Sequence, residues 1–243
     1  MFVCLGLASP VFGADLAPAD ESHINDGQFV QTNLPQVIAQ AITQYEQTSR
    51  QDWSYRISRY ENEEGDISSS IELFDPAKDR NNPWTLLSVN GQLPSIKQQQ
   101  KFAKNKQQVD DAEQRNFSLK LRDIIQIDSL QLISEEQTTL QASFNVFLSQ
   151  LGEEATENLR GLLIFDKAQQ FIETIEITNT GVFSPVFGAQ ISEFKLTFRF
   201  IKIDTAILPK QHELVMKGSF AFFTKIEETS SDIFTDYRYV GSD

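Results

Sequence analysis

From about Thr138 to Tyr239 the sequence is a succession of long segments in which apolar and polar side chains alternate. Ile191–Lys202 is the sharpest: Phe194, Leu196, Phe198 and Phe200 share one parity, Glu193, Lys195, Thr197 and Arg199 the other. A strand turns successive side chains to opposite faces, so strict alternation gives one dry face and one wet face. Several such strands in a row predict an antiparallel sheet that must cover its dry side. What covers it decides the function. A helix makes a core, and an open concavity makes a binding site.

The rest of the chain supplies few covering elements. Leu34, Val37, Ile38, Ala41, Ile42 and Tyr45 recur at helical spacing and predict one amphipathic helix over 34–47, with Asn33 as its cap and Pro35 in its first turn. Trp53–Tyr60 and Ile67–Leu73 alternate around Glu63-Glu64-Gly65-Asp66, which predicts a hairpin. A short strand over Trp84–Val89 ends at Asn90-Gly91, a strong turn dipeptide. Pro94–Arg115 is rich in Gln and Lys with few apolar anchors, and reads as a helical excursion. The later strands are expected at 130–133, 140–148, 159–165, 171–178, 191–203, 214–225 and 233–240, with 150–157 as a connection. Gly161 and Gly218 fall inside strand patterns, which predicts bulges or sharp curvature. The fold class is α+β: a strongly curved antiparallel sheet, an unclosed β-barrel, with one leading helix and a second helical excursion over the concave face.

Composition narrows the partners. The chain has 243 residues, 40% of them hydrophobic, with 19 Phe against two Met and two Trp. A net charge of −13 argues against nucleic acid, whose binding depends on Lys and Arg neutralising phosphates, and against an anionic membrane surface. Residues Phe2–Phe12 are apolar or small and Asp15 is the first charge, so 1–14 reads as a signal peptide ending on Gly13-Ala14. No Lys or Arg precedes Arg50, so this signal is expected to be truncated at its start. It is too short to span a bilayer, which takes roughly 20 apolar residues, and no stable membrane insertion is expected. Residues 15–31 form a polar leader and 32–243 a single domain. Cys4 is the only cysteine and lies inside the signal, so a mature chain has no thiol for disulfides, catalysis or metal. The expected compartment is the periplasm.

No chemistry is legible. His23 and His212 are far apart, with His212 in an expected turn over Pro209–Glu213, and neither shows a partner. Metal-ligand spacing is lacking. Glu61, Glu63, Glu64, Asp66, Asp75 and Asp79 do not follow a calcium-loop ladder, and the first four read as a solvated hairpin tip. No phosphate loop and no Gly-x-Ser-x-Gly elbow occurs. The expectation is a non-catalytic protein without cofactor. What remains is the apolar face, on which Phe144, Val146, Leu163, Phe165, Phe198, Phe200, Met216, Phe220 and Phe222 are the candidate ligand-binding residues. The same side chains also suit an ordinary core. A helix of about 14 residues spans only ~21 Å, which is narrower than a sheet of roughly seven strands ~4.8 Å apart. Either the 94–115 excursion covers the remainder or a pocket stays open.

The order of elements resembles the periplasmic LolA/LolB and RseB class: a signal, one helix, a Trp-bearing hairpin, a helical excursion, then a meander of long strands. The residues that carry it are Gly161-Leu-Leu-Ile-Phe-Asp166 followed by Ile172–Ile177, Phe198–Ile203 with Leu208-Pro209, and Gly218-Ser-Phe220. The resemblance spans most of 51–240. It implies an unclosed barrel with a helical lid over an apolar cavity, binding acyl chains, a lipoprotein or an apolar peptide without turnover. The alternative is an envelope interaction protein with a filled core and no small ligand.

Overall fold

The computed structural model describes residues 26–79, 81–116, 120–148, 151–221 and 224–241, with backbone alone along 26–32, 107–116 and 152–154. The segment 1–14, most of the leader and Phe222 lie outside the described residues. In chain order the elements are α1 (Asp26–Gln47), β1 (Trp53–Glu63), β2 (Asp66–Phe74), β3 (Trp84–Val89), α2 (Ile96–Asn116) and α3 (Leu121–Ile124). They continue with β4 (Gln131–Glu135), β5 (Thr139–Asn145), α4 (Gly152–Asn158), β6 (Leu159–Asp166), β7 (Phe171–Asn179), β8 (Ala189–Ile203), β9 (Ala206–Phe220) and β10 (Thr224–Tyr239).

All ten strands join one antiparallel sheet in the order β3-β2-β1-β10-β9-β8-β7-β6-β5-β4. The two outer strands do not pair with each other, so the curved sheet is a half-barrel, as the alternation predicts. The three longest strands, β8, β9 and β10, lie side by side. Curvature has local causes. A Cβ at Gly161 would stand 2.1 Å from the Phe144 ring, so only glycine lets that ring lie across β6. A Cβ at Gly218 would stand 2.1 Å from the Gln190 carbonyl oxygen, beside the β8–β9 bulge at Ile191/Glu193. Bulges bend and twist the strand that carries them.

One helix face closes most of the concave side. Leu34, Ile38, Ala41, Ile42 and Tyr45 of α1 are buried against Phe144, Leu163, Phe165, Ile175 and Phe200. The Tyr45 and Phe200 rings meet edge to face with centroids 4.9 Å apart. Each such side chain contributes roughly 1.5–3 kcal/mol on full burial. The second helix, α2, packs at the far edge beside β3.

Four sequence expectations need correction. The leading helix begins at Asp26 rather than Leu34, so Asn33 does not cap it and Pro35 is interior. A mid-helix Pro removes one backbone bond, at a cost of about 3 kcal/mol. The burial of the residues that follow it offsets that cost. The 150–157 connection contains the short helix α4. The strand expected over Leu214–Lys225 is broken by a turn at Ala221, whose φ is 50°. An unbroken apolar run through Phe220–Phe223, with no Gly, Asn or Pro, conceals that turn. Finally, Pro209–Glu213 is strand rather than turn. Pro209 fits because the β8–β9 register shifts at Arg199/Phe200, where a ladder N–H is not required.

Candidate functional site

The register resolves the concave face into rows of side chains that run across the sheet. One row reads Leu132, Ala142, Leu163, Ile175, Phe198, His212, Asp232, Arg59, Ser70 from β4 to β2. A second reads Phe144, Gly161, Ile177, Leu196, Leu214, Ser230, Glu61, Ser68 from β5 to β2. A third reads Phe194, Met216, Glu228, Glu63, Asp66 from β8 to β2. Each row is apolar through β8, changes character at β9 or β10, and ends polar or charged on β1 and β2. The face is therefore two-sided in chemistry, with its boundary along β9 and β10.

The candidate residues distribute along this boundary. Phe144, Val146, Leu163, Phe165, Phe198 and Phe200 are buried in the core with α1, the most exposed being Phe198 at 7%. Met216 is half-buried at the edge of that core, together with Leu214 and Ile226. Phe220 stands 46% exposed at the rim, against Gly188 of the β7–β8 connection. Leu214, Met216 and Ile226 thus form a half-buried apolar strip along β9 and β10, at the edge of the core that α1 covers. Leu214 and Ile226 were not among the residues singled out from sequence. The alternate spacing of Leu214 and Met216 was the available signal.

The polar side of the face has its own buried centre. Glu72 is only 5% exposed. Arg59 Nε donates to Glu72 Oε1 at 3.0 Å, and Arg59 Nη1 donates to Asp232 Oδ2 at 2.5 Å. Lys106 of α2 brings its Nζ to 2.9 Å from Glu72 Oε2, an ion pair without hydrogen-bond alignment. The same ammonium lies 4.1 Å from the centre of the Trp84 ring. Burial pushes the Asp232 carboxyl upward even beside the Arg59 guanidinium. Around this centre Tyr55 packs with Phe74, Trp84, Phe234 and Tyr237.

His212 marks the junction of the two sides. Its ring sits edge-on between Phe198, 5.1 Å away, and Phe234, 4.9 Å away. Its Nε2 is buried with no hydrogen-bond partner. Burial, with the Arg50 and Arg59 charges, holds the imidazole down at about 4, so it is neutral near pH 7. Toward the rim, burial and the neighbouring Glu61 and Glu63 push the Glu228 carboxyl upward. The β1–β2 tip is therefore one end of a carboxylate wall that continues onto β10.

No protein-family model and no curated protein matches the sequence. Among solved structures, the chain is similar to a DUF1329 family protein from Desulfovibrio piger at 10% identity, covering 88% of this chain and 95% of that one, with a TM-score of 0.34. It is also similar to an isomerase-inactive variant of GphF DH1 at 10% identity, covering 88% and 83%, with a TM-score of 0.18. Likenesses this shallow leave the reading of the site to its own geometry.

Proposed function

We propose that this protein is a non-catalytic binding or carrier protein that receives an apolar chain along this strip, in a trough over β9 and β10. The observation that carries the reading is the half-buried set Leu214, Met216 and Ile226, at the edge of the core that α1 covers. A concave, mostly apolar groove with a few convergent polar groups is the ordinary form of a small-ligand site. The resemblance to the LolA/LolB and RseB class points the same way. The trough also says something about the ligand. Its far wall carries Ser230, Glu228, Glu61 and Glu63, so a free carboxylate lying there would meet like charge. An apolar peptide or an acyl chain with a neutral or cationic remainder fits better than a fatty acid. The apolar segment at 2–12 supports a periplasmic location.

Protein released from the periplasm by osmotic shock should take up a neutral naphthylamine dye with saturable fluorescence. Met216→Glu should abolish that uptake while moving the urea midpoint little, because the side chain lies at the core's edge. Recovery only from the cytoplasm with Met1 intact refutes export. A released protein that takes up no dye, or a Met216→Glu variant that still does, refutes the trough.

A further inference from the structure

The end of the half-barrel where α1 stops has the opposite electrostatics. A cleft of about 560 Å³ opens there, lined in part by Glu46, Thr48, Ser49, Arg50, Lys120 and Arg122. Three cations thus face one carboxylate on a chain whose net charge is −13. The three are not equivalent. Arg122 is committed to Glu46: its Nε donates to Glu46 Oε2 at 2.6 Å and its backbone N–H to Oε1 at 3.4 Å. Arg50 and Lys120 have no carboxylate within ion-pair distance among the described residues. Many cations of the sheet have carboxylate partners, as in Arg56–Asp236, Arg59–Asp232, Lys195–Glu176, Lys217–Glu193 and Arg238–Asp75, whereas Arg160 and Lys202 donate to backbone carbonyls.

Arg50 is also held in place. Its guanidinium lies 4.6 Å from the centre of the Tyr45 ring, and Tyr45 is locked in the core against Phe200. The guanidinium also hydrogen-bonds the Tyr45 hydroxyl, and with five N–H donors it keeps others to offer an oxyanion. The competing influence is the C-terminal end of α1, whose carbonyls favour cations over anions. That effect is equivalent to about half a charge and fades within a turn. The Thr48 N–H and hydroxyl, which donate to the Tyr45 and Gln44 carbonyls, satisfy part of it. Two full charges with no carboxylate partner among the described residues outweigh the remainder.

We propose that this cleft is a binding site for an oxyanion group, phosphate or phosphate ester, gripped by Arg50 and Lys120. The group arrives either as a free anion or as the headgroup of an amphiphile, and the site does not depend on the apolar trough. The test titrates the full chain at low ionic strength with inorganic phosphate, with dodecyl phosphate and with neutral dodecyl maltoside. Amide chemical shifts of 48–52 and 120–122 provide the readout. Wild type should show saturable shifts confined to these residues. Arg50→Gln and Lys120→Gln should each weaken binding about tenfold or more, the size expected for one charge-assisted hydrogen bond. Arg50→Lys should retain part of the affinity. Lys120 is exposed, so its replacement leaves folding intact even if Arg50→Gln loosens α1. Inorganic phosphate binding as tightly as dodecyl phosphate identifies a free oxyanion. Dodecyl phosphate binding alone, and losing affinity in both variants, identifies a headgroup. Neither phosphate saturating the site overturns the proposal. So does dodecyl phosphate binding that survives both replacements and is lost in Met216→Glu, an outcome that places it in the trough.

Discussion

The inner face under α1 and the inner face beside α2 belong to one sheet and are built on different physics. Under α1, apolar side chains of β5 to β8 form one cluster with Leu34, Ile38, Ile42 and Tyr45, and stability there depends on volume. Beside α2, the buried Glu72 gathers the part-exposed Arg59 and Lys106, Arg59 also pairs with Asp232, and Lys106 lies on the Trp84 ring. Stability there depends on each charge keeping its partner, because a buried charge that loses its partner is costly while an intact pair contributes little net. The first region can specify where α1 lies only by shape. Among the described side chains of α2, the second holds the Lys106 ammonium between Glu72 and the Trp84 ring.

This contrast can be broken most directly in the core. Phe144→Ala should destabilise the fold by about 3–5 kcal/mol, since the ring fills the space that Gly161 leaves open and its loss creates a cavity. Urea unfolding measures it, and a loss below about 1 kcal/mol would show that the α1 region is not close-packed. At the junction, the test is pH. The imidazole of His212 is depressed from 6.5 to about 4, so it contributes stability above pH 6.5 that is lost as pH falls through 4. The contribution amounts to about 2–3 kcal/mol between pH 7 and 4. His212→Phe should remove that part of the acid sensitivity, seen as a flatter plot of urea midpoint against pH. An unchanged slope would show that the ring is not held neutral by burial. The smallest effect belongs to α2. Lys106→Met should lower global stability by about 1–2 kcal/mol, the range of a partly buried cation–π and ion-pair contact. It should also increase hydrogen exchange in α2 while leaving that of α1 unchanged. Equal acceleration in both helices would erase the distinction.

Much of the architecture was legible in the sequence because alternation is a local signal. The β3 boundaries and the face shared by Phe194, Phe198 and Phe200 follow from side-chain order alone. What was not legible is what register creates. Nothing near residue 212 announces that it will lie opposite Phe198 on one side and Asp232 on the other, or that Glu63 will face Glu228 across a strand pair. The candidate set follows from the alternating apolar face, and strand order divides it: the members on β5, β6 and β8 lie beneath α1, and Met216 and Phe220 on β9 lie at the edge of that core and at the rim. In sequence the hairpin-tip carboxylates read as a solvated cluster. Only pairing with β10 turns them into a wall.

The seam between β1 and β10 ties together residues that are far apart in the chain: Trp53 pairs with Tyr239, and Glu63 with Glu228. The hairpin of β1 and β2, with β3 beside it, is made early in synthesis and has no neighbour until β10 arrives. Contacts of such long sequence separation form slowly, since the loop between them must be closed first. During that interval the β1 edge and its aromatic side chains stay unpaired and open to wrong partners. A chain of this topology gains from being kept extended until its last strand is delivered, and a truncation of only its last 15 or so residues would leave the first three strands without a sheet to join.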